Sequence, residues 1–359
     1  MFMPVLVYSE NEAVINNSKK IAQRGHNALI VTGRSSASRN GSLNDVVHAL
    51  EKERISYSVY NKIEENPTVQ NVMEAVGFGQ EKNSDFVIGI GGGSALDAAK
   101  AVSFMLAHPG EKEDLLYTHC DDSALPLVLI PTTCGTGSEV TGVSVLTVSQ
   151  LHTKKSISHK IFADLALIDG KYLKDIPIHI LRNTALDALT HLTESYINSN
   201  TDVFSRMFAD AGLDLWRKNM DCLVTGKPDD VQMSEMMNAS ALGGMAIAQN
   251  GTGIPHGLSY SLTYKLNIPH GKAVGYFTAG YLSEASEKDR NHILEKLGFD
   301  GVGEFSDWYK ELYGITEVED SILEQAVDEL WKNQPKVKTA PFEVSYDKLM
   351  KIAFYNKNN

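Results

Sequence analysis

Long apolar runs are missing from this chain: none approaches the ~20 residues needed to cross a bilayer, so no membrane span is expected. Cysteine is scarce. Cys120, Cys134 and Cys222 are scattered, odd in number and without metal-ligand spacing, which argues against a disulfide framework and suits a reducing cytoplasm. Positive charge is in deficit: 33 Lys and Arg stand against 45 Asp and Glu, a net charge of −12. That balance argues against a nucleic-acid or anionic-membrane partner, and any anionic cofactor or substrate would need a local positive site. The opening "MFMPVLVYSENEAV" has no basic segment and only a brief apolar run, so no signal peptide is expected. Internal repeats and low-complexity tracts are also missing.

A chain of 359 residues suits two domains. The first half alternates β-rich runs with helix-patterned segments. Strands are predicted at 5–8, 28–32, 57–61, 86–90, 127–130 and 165–169, with helices at 43–54, 69–80 and 94–107 between them. Near-continuous apolar strands alternating with helices indicate a buried, mostly parallel sheet covered on both faces. After about Pro177 the strand signals stop, and apolar residues at helical spacing fill 179–198, 202–220, 230–248, 272–287, 302–313 and 319–332. The expected division is an α/β domain over 1–177 and an all-helical domain over 178–359. The tail "YNKNN" is expected to fray.

Two pairs of residues carry chemistry. Asp187 and His191 lie four apart in "DALTH", so both project from one helix face. His256 and His270 each follow a proline, in "GTGIPH" and "NIPH", where new helices look set to begin. Any one of the 11 histidines is ordinarily a satisfied core or surface residue. Together, one carboxylate and three imidazoles without thiolates could hold Fe²⁺, Zn²⁺, Co²⁺ or Ni²⁺.

Two loops suggest a phosphate-bearing cofactor. "DFVIGIGGGSALDAAK" runs from strand through glycines into a helix, where backbone can approach a diphosphate and free N–H groups face it. Its spacing is not G-x-G-x-x-G and it follows the fourth strand, not the first; a tight structural turn has the same composition. "LVLIPTTCGTGSEVT" ends a strand at Pro131 and supplies the hydroxyls of Thr132, Thr133, Thr136 and Ser138, which suit phosphate and ribose contacts and equally a cap for the next element.

Taken with "DALTH" and the histidines at 256 and 270, "GGGSALDAAK" and "PTTCGTGSEVT" resemble the iron-containing (group III) alcohol dehydrogenase family, of the dehydroquinate synthase-like superfamily that also holds glycerol dehydrogenase. The resemblance spans roughly residues 1 to 290. It implies a metal-dependent NAD(P)H-linked reduction of an aldehyde or ketone, with hydride passing from the nicotinamide to a carbonyl polarised by the metal. It carries metal-ligand roles onto Asp187, His191, His256 and His270, and nucleotide contacts onto Asn66, Gly92, Gly93, Ser94, Asp97, Thr132, Thr133, Ser144 and Lys155. It also implies Fe²⁺ as the metal, a homodimer, and a small alcohol or aldehyde as substrate.

The chain departs from the family pattern at three places. Where many members end the second strand in an acidic residue, this chain has Gly33, followed by Arg34, Ser35 and Ser36. A carboxylate there would bond the ribose 2′-hydroxyl and repel a 2′-phosphate; its absence beside a cation predicts NADP(H) over NAD(H). Tyr260 stands four residues after His256, where some relatives carry a proton-relaying histidine, and is either a hydroxyl donor or a packing aromatic. Cys134 replaces a residue that is usually Ala and reads as inert packing. A glycerol-dehydrogenase-like polyol oxidoreductase and a non-catalytic metal- and nucleotide-binding regulator remain alternatives. A dehydroquinate-synthase-like lyase would need more cations than Lys265 and Lys272 over 250–275.

Overall fold

The computed structural model of the protein describes residues 2–149, 153–314 and 317–358. Two compact units emerge: one comprises Phe2–Thr133 and Gly137–Asp175, the other Cys134–Thr136 and Ile176–Asn359.

The first unit is built on eight strands: β1 Leu6–Ser9, β2 Asn27–Gly33, β3 Ser56–Ile63, β4 Phe86–Gly91, β5 Leu127–Pro131, β6 Val145–Val148, β7 Thr153–Ser156 and β8 Leu165–Ile168. Six form one sheet in the order β1-β8-β5-β4-β2-β3, and every pairing is parallel. All six coincide with the predicted strands. Every residue of β4, β5 and β8 is buried, as their unbroken apolar sequences require in a sheet covered on both faces. Ile30, Ile88, Val128 and Leu165 share one core with Val14, Ile21, Val46 and Leu50 from the preceding helices.

The antiparallel ribbon β6–β7 has no counterpart in the sequence expectations. Its strands have four residues each and are only partly buried; β6, Val-Leu-Thr-Val, is a short apolar run, and β7, Thr-Lys-Lys-Ser, is polar throughout. Residues 150–152, between them, lie outside the described residues. The ribbon braces the loop after β3: Thr147 donates its N–H to the Pro67 carbonyl (2.8 Å) and its hydroxyl to the Asn66 carbonyl (3.0 Å).

The second unit is helical. Its longer helices are Ile178–Tyr196, Val203–Lys218, Asp230–Asn250, Ile254–Leu266, His270–Glu284, Glu287–Leu297, Val302–Tyr313, Asp320–Lys332 and Tyr346–Asn358. Every residue from Ala185 to Tyr196 is buried, so the first helix is the hub on which others pack. Gly271 permits one such packing: a Cβ there would lie 1.7 Å from the Asn183 carbonyl oxygen. The tail corrects its expectation: Tyr355 to Asn358 are helical, because Leu349, Ile352 and Ala353 bury one face of that helix and Asn356 donates to the Tyr276 carbonyl. Asn359 lies outside the described residues. Among the described residues, no helix is long and apolar enough to cross a membrane.

Candidate metal centre and nucleotide-binding loops

Asp187 and His191 lie on one face of the helix Ile178–Tyr196, as their spacing predicts. Pro255 at the start of the helix Ile254–Leu266 puts His256 in its first turn, and Pro269 caps the helix that begins at His270. These three helices bring one carboxylate and three imidazoles together. Asp187 Oδ1 lies 3.8 Å from His191 Nε2, 3.4 Å from His256 Nε2 and 3.8 Å from His270 Nε2. Ligand atoms of Asp187, His256 and His270 all fall within 4.8 Å of one another. The His191 and His256 rings stack with centroids 4.6 Å apart, and His270 meets His256 edge-on at 5.4 Å.

Two groups behind the rings set their orientation. His256 Nδ1 lies 2.5 Å from Glu194 Oε2, and Glu194 Oε1 accepts the His256 backbone N–H at 2.9 Å. His191 Nδ1 lies 3.3 Å from the Gly135 carbonyl oxygen. With both Nδ1 atoms engaged, both Nε2 atoms turn toward Asp187, the arrangement by which a carboxylate or carbonyl behind a histidine fixes its ligating nitrogen. Asp187 Oδ1 and His256 Nε2 are nonetheless buried with no hydrogen-bond partner among the described residues. A buried polar atom without a partner is costly, and a divalent cation between them would relieve both.

The electrostatics agree. Burial by itself would raise the Asp187 carboxyl, but His191, His256 and His270 outweigh it and hold the group well below the usual carboxylate range. Burial would lower His256, yet the Glu194 and Asp187 carboxylates push it up to about 9. Glu194, fully buried, was not foreseen from sequence. The signal was present: Asp187, His191 and Glu194 are spaced i, i+4, i+7, one continuous helix stripe.

Tyr260, also on the helix Ile254–Leu266, holds its ring parallel to His270 with centroids 6.5 Å apart. It is 45% exposed. Crowding around its hydroxyl, with Glu194 and Asp187 adding to it, pushes the group up to about 12. Cys134 is fully buried against Thr184 Oγ1 at 3.5 Å, and burial pushes its thiol up to about 11, consistent with inert packing.

The first unit gathers most of the predicted nucleotide contacts at the carboxyl ends of neighbouring strands, where open α/β sheets bind ligands. Gly91 adopts φ +149°, and a Cβ there would come within 2.7 Å of the Ala95 Cβ, so glycine is required where β4 turns into its helix. Gly92 caps the helix Gly93–Leu106 without any side-chain hydrogen bond, leaving its first N–H groups open. Thr132 donates its N–H to the Gly91 carbonyl (3.0 Å), and Thr133 borders Gly92. Ser94 Oγ accepts the Asn66 N–H at 3.2 Å.

Asp97, Ser144 and Lys155 have other partners. Asp97 accepts from Ser138 Oγ (2.6 Å) and the Val145 N–H (2.9 Å), while Ser144 Oγ donates to the Asp97 carbonyl (2.7 Å). They bind the glycine-turn helix to the ribbon. Lys155 lies over the Tyr117 ring, its Nζ 4.6 Å from the centroid. Its neighbour Lys154, on the other face of β7, reaches Asn66 Oδ1 at 2.7 Å. Gly33, Arg34 and Ser35 end β2, and Arg34 Nη2 is paired with Glu64 Oε1 at 2.6 Å.

Comparison with known proteins agrees with this architecture. A sequence profile described as iron-containing alcohol dehydrogenase matches residues 4–170, and a second, for the C-terminal part of the Fe-containing alcohol dehydrogenase family, matches 182–333. The chain is 33% identical over 266 residues to long-chain-alcohol dehydrogenase 1 of Geobacillus thermodenitrificans, covering 72% of this chain and 67% of that one. It is 31% identical to the 4-hydroxybutyrate dehydrogenase of Clostridium kluyveri, covering 74% and 70%. An iron-containing alcohol dehydrogenase of Thermotoga maritima superimposes with a TM-score of 0.90 at 31% identity, over 100% of this chain and 99% of that one. The chain belongs to the iron-containing alcohol dehydrogenase family, whose class of activity is the oxidoreduction of alcohols.

Proposed function

We propose that this family member interconverts alcohols with aldehydes or ketones, using a divalent metal, iron first, held by Asp187, His191, His256 and His270. In this reading NADP(H) is used in preference to NAD(H). The observation that carries the metal assignment is the convergence of three Nε2 atoms on Asp187 Oδ1, with Oδ1 and His256 Nε2 left buried and unpartnered among the described residues. Mixed carboxylate and imidazole donors suit Fe²⁺ and its neighbours in the first row, and the family favours iron among them.

Bound there, the metal supplies Lewis-acid polarisation of a carbonyl and the nicotinamide supplies hydride. The protein's residues do the rest. Glu194 and the Gly135 carbonyl hold the His256 and His191 rings with Nε2 turned inward, so the donor set needs no reorganisation. Tyr260 Oη, held protonated well past neutrality, is the group we assign to deliver a proton to the developing alkoxide. The uncapped N-terminus of the helix Gly93–Leu106 takes the cofactor diphosphate with Ser94, Thr132 and Thr133 beside it. Gly33, Arg34 and Ser35 favour the 2′-phosphate: a side chain at Gly33 would meet nothing closer than 3.6 Å, so there is room, and Arg34 supplies the cation. Three free cysteines suit a reducing cytoplasm, and a homodimer is adopted from the family.

The test is oxidation of NADPH against a panel of short aldehydes and ketones after anaerobic reconstitution with Fe²⁺. His256→Ala is expected to lose at least about a thousandfold in rate, since Lewis-acid assistance is worth several kcal/mol, while NADPH still binds. A wild type that binds metal and NADPH yet consumes none across the panel would favour the regulator reading instead. Stoichiometric zinc alone would overturn iron.

A further inference from the structure

β2 ends in Gly33 and so carries no carboxylate of its own at that end. In the folded unit one arrives from the neighbouring strand. β2 and β3 run parallel, with Gly33 in register with Ile63, so the two chains leave the sheet edge to edge. Arg34 and Glu64 are the next residues out and form an ion pair of 2.6 Å. Both side chains are largely exposed, at 74% and 59%, and exposed pairs of this kind are held weakly enough to exchange partners.

The pair stands on a framed surface. The Glu64 N–H donates to Asn71 Oδ1 at 3.1 Å and Asn71 Nδ2 donates to the Lys62 carbonyl at 3.1 Å, which holds the backbone beneath the carboxylate. An open cavity of ≈ 390 Å³ is lined by Arg34, Asn61, Lys62, Glu64, Asn71 and Glu74. The loop that carries Glu64 is tied to the glycine turn through the Asn66 N–H and Ser94 Oγ. Along the sheet, β4, β2 and β3 are consecutive, so Glu64 lies two strand spacings, roughly 10 Å, from the β4 turn. That is the order in which a bound dinucleotide presents its diphosphate and then its adenosine ribose.

We propose that the Arg34–Glu64 pair sets the discrimination between the two nicotinamide cofactors. Glu64 accepts the ribose 2′-hydroxyl of NAD(H), taking the place of the carboxylate that β2 lacks. Arg34 leaves Glu64 to bind the 2′-phosphate of NADP(H), where a guanidinium makes paired, charge-assisted bonds. Glu64 opposes the phosphate by its own charge and by competing for Arg34, so it limits the preference that Gly33 and Arg34 create. This rests on the reading that the glycine turn binds a nicotinamide dinucleotide.

The experiment is a fluorescence titration of NADPH and NADH into the full chain, which needs no turnover. Glu64→Gln is expected to move the ratio of dissociation constants at least about tenfold toward NADPH, tightening NADPH and weakening NADH. Arg34→Ala should weaken NADPH about tenfold while NADH changes by less than about threefold. In the double variant, removing Glu64 should tighten NADPH less than it does in the single variant, since Arg34 is no longer there to be released. A Glu64→Gln ratio within about twofold of wild type, with both cofactors still bound, overturns this inference alone. A wild type that binds neither cofactor overturns the dinucleotide reading and this inference with it. A wild type preferring NADH whose ratio still shifts in Glu64→Gln removes only the NADP(H) preference and supports the pair.

Discussion

Each unit buries a cluster of charge, and the two clusters differ in whether they are closed. In the α/β unit Lys100 has no exposed surface, yet its Nζ donates to Ser138 Oγ (2.7 Å), the Val143 carbonyl (2.8 Å) and Thr141 Oγ1 (3.3 Å), with Asp97 Oδ1 at 3.6 Å. Three donors meet three acceptors, and the cluster is complete. In the helical unit Asp187 Oδ1 and His256 Nε2 face each other at 3.4 Å without forming a hydrogen bond. Satisfied networks rigidify a core, and partly satisfied ones are costly unless something else completes them. The first cluster therefore reads as architecture and the second as the metal site proposed above.

The sharpest way to break this comparison is to remove one charge from each cluster. Asp187→Asn should abolish turnover and metal uptake and cost the metal-free protein less stability than the loss of Lys100, because His256 keeps Glu194 as its charge partner. Lys100→Met should cost about 3–5 kcal/mol by leaving the buried Glu139 and the partly buried Asp97 without their cation. Chemical denaturation of both metal-free proteins checks this; equal losses would mean that the two clusters are alike. The next effect is smaller. Glu194→Gln should lower metal affinity about 10–100-fold, the usual cost of losing the group behind a ligating histidine, measured by competition with a chelator.

The mildest effect concerns pH. Burial pushes the Glu139 carboxyl from 4.5 up to about 7, despite Lys100. The folded state then holds a proton that the unfolded state releases at lower pH. Stability falls as pH rises from about 4.5 to about 7 and is flat above. Denaturation of wild type and Glu139→Gln across that range should show the slope only in the wild type. An identical slope in both would place its origin elsewhere.

Much of this was legible beforehand for definite reasons. The six sheet strands are apolar runs between turn residues, and a parallel sheet writes that pattern plainly. Asp187 with His191 was legible because helical spacing puts i and i+4 on one face. The β6–β7 ribbon was not, since β6 is only four residues long and its partner β7, Thr-Lys-Lys-Ser, has no apolar residue. Glu194 continues the same stripe at i+7, but its role depends on His256, 62 residues away in the chain, which helix spacing does not reveal. Lys155 was named where Lys154 faces Asn66; adjacent strand residues point to opposite faces, and sequence alone does not say which face is which.

Local periodicity and composition, then, determined the strands, the long helices, the class of metal donors and the glycine turn, because each depends on neighbours within a few residues. The tertiary structure decided what those parts meet. Asp187 meets His270 where Gly271 lets their two helix backbones touch, and Gly33 lacks a carboxylate in sequence but gains one, Glu64, across a strand pairing. Contacts between residues far apart in the chain are set by packing and register, which no short window of sequence contains.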